Sequence, residues 1–276
     1  MKKIFVQSCL MICLTLIVGG CSSETQTITQ NPPVPKPSVQ APLPLDNKTF
    51  SWYVVRNKEH KQPRGNTEGA FDLQKYDAYF TGPTTQKVIF LTFDEGYENG
   101  YTPQILDTLK RHQVPACFFV TEPYITSNPE LIKRMVKEGH IVGNHSKTHP
   151  SMPSVTGDPA AFKNEIEETA DAFREQTGKK MPLYFRPPKG EFSEKSLYMT
   201  QQLKYKTIFW SFAYEDWLTD KQPSPDSALK KILDNTHNGE IMLLHAVSST
   251  NAAILDQVIT EIKKQGYTFK SLDELK

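Results

Sequence analysis

The chain has 276 residues, and its 32 basic and 31 acidic side chains leave a formal net charge of +1, which gives no footprint for nucleic acid or for electrostatic binding to a membrane. A hydrophobic content of 38%, with 11% aromatics, supports a sizeable core in one large domain or two small ones. Cys9 and Cys13 fall in the first segment and, if that segment is a signal, leave only Cys21 and Cys117 in the mature protein, so a disulfide framework is not indicated.

Met1-Lys2-Lys3 and the apolar run Ile4 to Val18 read as a secretory signal, with a basic start and a core too short for an ordinary membrane span. The run closes on Val18-Gly19-Gly20-Cys21, small residues before a cysteine, which resembles a bacterial lipobox with Cys21 as the lipidated first residue. A plain cleaved signal and an uncleaved anchor are the alternatives, and all three place the remainder outside the cytoplasm. Residues 1–20 are thus expected to be a lipoprotein signal, with a lipid anchor to the membrane. Residues 21–47 hold six prolines among Ser, Thr and Gln, with almost nothing to bury, and read as an extended tether. Residues 48–85 bring back aromatics at Phe50-Ser51-Trp52-Tyr53 and are expected to pack as a strap across a main domain spanning 86–276.

From Gln86 onward strands and helices alternate. Val88 to Phe93 is a short apolar run that reads as a strand buried on both faces, ending on Asp94, Glu95 and Gly96. Pro103 opens a helix ending near His112, and Ala116 to Val120 is the next strand. Asn128-Pro129 begins a helix that stops at Gly139, and His140-Ile141-Val142 is a short strand. Asp158-Pro159 opens an amphipathic helix with Phe162, Ile166, Ala170 and Phe173 on one face. Leu183 to Phe185, Thr207 to Trp210 and Glu240 to Leu244 are later strands, separated by helices near 193–203, 225–234 and 251–265. This alternation predicts an α/β fold, a parallel sheet closed or nearly closed into a barrel.

Chemistry-bearing residues follow the apolar runs. His145 and His149 are four apart, the spacing of one helical turn, and are candidate ligands of one metal. Asp94 or Glu95 is the candidate third ligand. Two imidazoles and a carboxylate leave positions open for water, which suits hydrolysis. If Glu95 faces the metal, Asp94 is free as the base, and His245 is the candidate acid. Arg186, in Arg186-Pro187-Pro188-Lys189-Gly190, is placed by its chemistry to hold Asp94 ionised. Asp216 is placed to raise the pKa of His245, while the neighbouring Trp217 shields the pair or stacks on a sugar face. Taken alone, His245 also reads as a buried histidine bonded to backbone, and the Pro-Pro segment as a surface turn.

Thr92-Phe93-Asp94-Glu95-Gly96, His145-Ser146-Lys147-Thr148-His149, Arg186 to Gly190, Asp216-Trp217 and Leu243-Leu244-His245 together resemble the NodB-type polysaccharide deacetylases, carbohydrate esterase family four. The resemblance covers Gln86 to Leu275, about two thirds of the chain. It implies a distorted (β/α) barrel, a divalent metal (zinc, or cobalt or manganese) and hydrolysis of N-acetyl groups on amino sugars. It also implies Asp94 as base, His145 and His149 as metal ligands with Glu95 beside them, His245 as acid, Arg186 orienting the base and Asp216 tuning the acid. Trp217, Tyr97 and Pro187 are the expected sugar contacts.

The segments Phe50 to Tyr53 with Arg56-Asn57, Gly96 to Thr102, Trp210 to Ala213 and His245 to Ser248 resemble the δ-lactam-biosynthetic de-N-acetylases of spore-forming bacteria. That subgroup deacetylates N-acetylmuramic acid in peptide-stripped peptidoglycan, leading to the muramic δ-lactam of spore cortex. It implies glycan strands as the partner and coupling to an amidase that removes stem peptides. A glucosamine deacetylase acting on peptidoglycan or a chitin-like polymer, and an inactive wall-binding lipoprotein, are the competing readings. The chain departs from the family at Glu95, where a second Asp is usual, and at Ala213, where many members carry Asp. Glu122 stands where the subgroup has Gly.

Overall fold

The computed structural model describes residues 45–57, 59–67 and 72–275. The leader, Cys21 and the Pro-rich stretch up to residue 44 lie outside the described residues. In chain order the strands are β1 (Phe50–Ser51), β2 (Val54–Val55), β3 (Arg64–Gly65), β4 (Ala78–Tyr79), β5 (Val88–Glu95), β6 (Ala116–Val120), β7 (Ile141–Asn144), β8 (Tyr184–Phe185), β9 (Glu191–Phe192), β10 (Lys206–Ile208), β11 (Glu240–His245) and β12 (Thr268–Phe269). The helices are α1 (Thr102–His112), α2 (Glu122–Ser127), α3 (Pro129–Lys137), α4 (Met152–Val155), α5 (Pro159–Thr177), α6 (Glu194–Gln202), α7 (Pro225–Asn235) and α8 (Ser249–Lys264).

One sheet runs β11-β5-β6-β7-β8-β10-β4, with β12 added beside β5, and its strand pairs are parallel. The open side is drawn together by two contacts. Residues 211–212 bridge β11, with Leu243 N–H donating to Phe212 O at 2.8 Å, and Gly82 N–H donates to Gly239 O at 2.7 Å. The sheet therefore curls into the expected distorted barrel.

Period-two alternation divides its two faces. Val88 and Phe90 of β5, Cys117 and Phe119 of β6 and Ile241 of β11 pack together on one face, in a cluster that includes Ile208. Ile89, Leu91 and Phe93 face the other way, onto helix residues such as Ile105, Leu109, Leu255 and Ile259. Gly143 in β7 is required by this packing, because a Cβ there would lie 2.7 Å from the Phe119 ring.

The boundary expected at residue 86 is displaced. Ala78–Tyr79 is a strand of the main sheet, in register with Thr207 and Ile208 of β10. Two residues are too few for a periodicity signal, so that pairing was hidden in the sequence. The strand expected over 207–210 ends at Ile208, because the carbonyls of Ile208 and Phe209 turn to the Arg186 guanidinium. The segment before β4 packs on the domain through Trp52, which is 4% exposed and stacks on Phe209 with ring centroids 4.6 Å apart. Its indole N–H donates to Trp210 O at 2.9 Å, and its backbone N–H to Gly190 O at 2.8 Å. Burial of one such ring contributes roughly 2–3 kcal/mol, enough to hold a short strap in place.

Candidate active site

The register of the sheet sets the site. Across β5 and β11, Asp94 stands opposite His245. Across β7 and β8, Asn144 pairs with Phe185, so the residues that follow, His145 and Arg186, emerge side by side. All four lie at the carboxyl ends of parallel strands, where an α/β fold leaves room for a ligand.

Asp94 Oδ1 accepts from Arg186 Nη1 at 2.7 Å, and Asp94 Oδ2 lies 3.6 Å from His145 Nε2. Arg186 is fully buried. Its Nε and Nη2 donate to the Ile208 and Phe209 carbonyls at 3.0 and 3.2 Å, and its guanidinium lies 4.2 Å from the Phe119 ring centroid. Burial alone would raise the Asp94 carboxyl, but Arg186 and the imidazoles of His145 and His245 outweigh it and hold the pKa below its ordinary value.

His145 and His149 do converge, with ring centroids 4.9 Å apart at 72°. The reason is not the helical turn that their spacing suggests. Ser146 and His149 both have positive φ, 69° and 57°, in a non-helical loop. Ser146 N–H donates to Asn144 Oδ1 at 2.9 Å, His149 N–H donates to Ser146 Oγ at 3.0 Å, and the Glu165 carboxylate accepts from Lys147 and Thr148 N–H. His145 Nδ1 donates to the Arg186 carbonyl at 2.8 Å, which leaves Nε2 as the unprotonated nitrogen nearest Asp94. Burial lowers the pKa of both rings, His149 to about 4.

His245 is set from its far side. Asp216 Oδ1 lies 2.7 Å from Nδ1, and Asp216 Oδ2 accepts the His245 backbone N–H at 2.9 Å. Burial opposes charge on His245, yet Asp216 outweighs it and the pKa is raised. The Trp217 ring centroid lies 5.4 Å from that of His245. Asn251, in the first turn of α8, donates to Asp216 Oδ2 at 2.6 Å and to His245 O at 3.1 Å. No sequence signal marked Asn251, because its role exists only once α8 packs against β11.

These side chains open into a cleft of about 540 Å³ lined by Asp94, His145, His149, Trp217 and His245. Three expected site residues fall elsewhere. Glu95 is fully buried and faces away from the cleft, with Oε1 3.4 Å from the Thr102 hydroxyl. Adjacent strand residues point to opposite faces, so Asp94 and Glu95 cannot share one ligand. Among the described residues, no group of three or more His, Cys, Asp or Glu side chains is arranged to hold an ion. The donors that suit a divalent ion are the two neutral imidazoles, with Asp94 alongside. Tyr97 is 54% exposed outside the cleft lining, and Pro187 is buried beneath the turn.

The polysaccharide deacetylase family model matches residues 81–208. The peptidoglycan-N-acetylmuramic acid deacetylase PdaA of Bacillus subtilis is 40% identical over 267 residues, 97% of this chain and 94% of that protein. The peptidoglycan-N-acetylglucosamine deacetylase PgdA of Listeria monocytogenes is 40% identical over 191 residues, 69% of this chain and 39% of that protein. The solved structure of Bacillus subtilis PdaA, described as a family 4 carbohydrate esterase, is similar with a TM-score of 0.80 at 44% identity, covering 84% of this chain and 98% of that one.

Proposed function

This chain belongs to the polysaccharide deacetylase family, carbohydrate esterase family four, and on that premise we propose that it hydrolyses the N-acetyl group of N-acetylmuramic acid in peptidoglycan glycan strands. The observation that carries the chemistry is a carboxylate paired with Arg186 opposite an imidazole bonded to Asp216, which raises its pKa, on neighbouring strands at the cleft floor. In this reading Asp94 takes a proton from the attacking water, and His245 delivers one to the amide nitrogen as the C–N bond breaks. The products are acetate and the free amino sugar. Arg186 keeps Asp94 ionised and aimed, and Asp216 fixes the tautomer and orientation of His245. The family is generally dependent on a divalent metal, and zinc, cobalt or manganese held by His145 and His149 would polarise the acetyl carbonyl and acidify water.

The full-length match to a muramic acid deacetylase favours muramic acid over glucosamine. The finer reading is that peptides are first stripped by an amidase and that the freed amine closes on the lactyl carboxyl to give spore-cortex δ-lactam. Tethering of the domain outside the cell through Cys21 is inferred from the leader sequence alone. A glucosamine deacetylase remains the second reading, favoured by the Listeria relative. Purified protein given peptide-free glycan strands and a divalent metal should release acetate, and Asp94→Asn should stop it. Absence of release with zinc, cobalt or manganese supplied would overturn the proposal.

A further inference from the structure

We propose that Arg56 is the specificity-determining cation of this cleft and binds the free lactyl carboxylate of a muramic acid residue. The inference rests on the muramic acid reading and adds how that sugar is told from its neighbours.

The strap places Arg56. Trp52 is locked between Phe209 and Gly190, and the chain from Tyr53 to Arg56 then forms part of the cleft wall. Gly190 keeps that contact tight: its φ is +65°, and a Cβ there would lie 2.7 Å from the Trp210 ring. Arg56 donates through Nη2 to the Ala213 carbonyl, and its guanidinium sits 5.2 Å from the Phe212 ring centroid. The fork is thus fixed at one corner and supported beneath. Among the described residues it forms no ion pair. Glu240 is the acid that bears on it, but that carboxyl is fully buried, accepts from the His237 backbone N–H at 3.1 Å and forms no ion pair with Arg56, and burial raises its pKa. Glu215 lines the same cleft, is exposed, and makes no ion pair with Arg56. Exposed at the cleft wall, anchored on the Ala213 carbonyl and without an ion-pair partner among the described residues, the guanidinium is suited to an anion supplied by the ligand.

Muramic acid supplies one. It differs from glucosamine by an ether-linked lactyl group that ends in a carboxylate. Where a stem peptide is attached, that carboxylate has become a neutral amide. A planar guanidinium pairs with a carboxylate through two parallel hydrogen bonds and cannot do so with an amide. One residue would then select both muramic acid over glucosamine and peptide-free over peptide-bearing strands. Lys189 also lines the cleft, but it is a flexible ammonium whose charge bears on His149.

The test compares kcat/KM for acetate release from two glycan oligomers, one with free lactyl carboxylates and one with the same groups amidated. The wild type should favour the free acid by roughly ten- to a hundredfold. Arg56→Gln should abolish that preference while keeping the rate on the amidated oligomer, and that residual rate also shows that the variant folds. Arg56→Lys, which keeps charge but not the fork, should fall between. Lys189→Met should keep the wild-type preference. An unchanged preference in Arg56→Gln, an equal loss on both oligomers, or loss of preference in Lys189→Met instead would overturn the assignment. If the wild type releases no acetate from muramic residues of the free-acid oligomer, the underlying muramic acid reading has failed instead.

Discussion

Arg186 and Asp94 form a 2.7 Å ion pair between a guanidinium with no exposed side-chain surface and a carboxylate only 9% exposed. Breaking one half of such a pair strands the other charge, at a cost of about 3–5 kcal/mol. Arg186→Met should therefore lower unfolding free energy by that order and reduce kcat sharply. The Asp94→Asn/Arg186→Met double variant should recover part of the stability, because no lone carboxylate remains. Urea unfolding of the three variants checks this, and strictly additive losses would contradict it.

The Asp216–His245 contact makes a pH prediction. Asp216 raises the His245 pKa above 6.5 against an opposing burial effect. The protonated acid is lost as pH rises through that raised value, so His245 sets the alkaline limb of the rate profile. Asp216→Asn removes the carboxylate and leaves the burial. The alkaline limb should move to lower pH by roughly one to three units. The acid limb, set by Asp94, should stay in place. A profile of kcat/KM against pH reads both limbs, and an upward move of the alkaline limb would refute the role given to Asp216.

Glu95 tests the metal assignment from the negative side. Its carboxyl is buried with Oε2 unpartnered, and burial, together with the charge of Glu98, raises its pKa well above normal. Glu95→Gln has nearly the same shape and no charge. It should leave metal content and activity within a few-fold of wild type, whereas His145→Gln and His149→Gln should lower metal content. Elemental analysis of the purified variants decides the matter; metal loss in Glu95→Gln would restore it as a ligand.

His140 couples stability to pH. Its Nδ1 accepts the Ala116 N–H at 3.2 Å, its Nε2 has no hydrogen-bond partner, and burial lowers its pKa to about 4. Between pH 6.5 and about 4 the unfolded chain binds a proton there that the folded chain does not. Stability therefore falls as pH drops through that window, by on the order of 3 kcal/mol from this residue. His140→Gln should flatten part of that slope in melting curves taken from pH 7 to 4. An identical slope in the variant would remove His140 as the cause.

The sequence made the long elements legible and the pairings across the fold much less so. Val88 to Glu95 is legible as an unbroken apolar run because it is buried on both faces, and Pro159 to Thr177 by the three-and-four spacing of the one face it buries. The convergence of Asp94, His145, Arg186 and His245 was legible because each follows an apolar run that ends at the same edge of the sheet. The helical explanation for the histidine pair was wrong, because Glu165, far along the chain, folds that loop. Glu95 was misplaced by reading two adjacent carboxylates as one site, although strand alternation separates them. Strands of two residues such as Ala78–Tyr79, and contacts such as Asn251 to Asp216, leave no local trace.

The central claim is tested most directly by mass analysis of glycan strands after treatment with the protein and a divalent metal, followed by digestion to disaccharides. Loss of one acetyl group on the muramic acid ring, and none in the Asp94→Asn control, is the predicted result. Acetyl loss confined to glucosamine, or intact sugars under every metal condition, would contradict it.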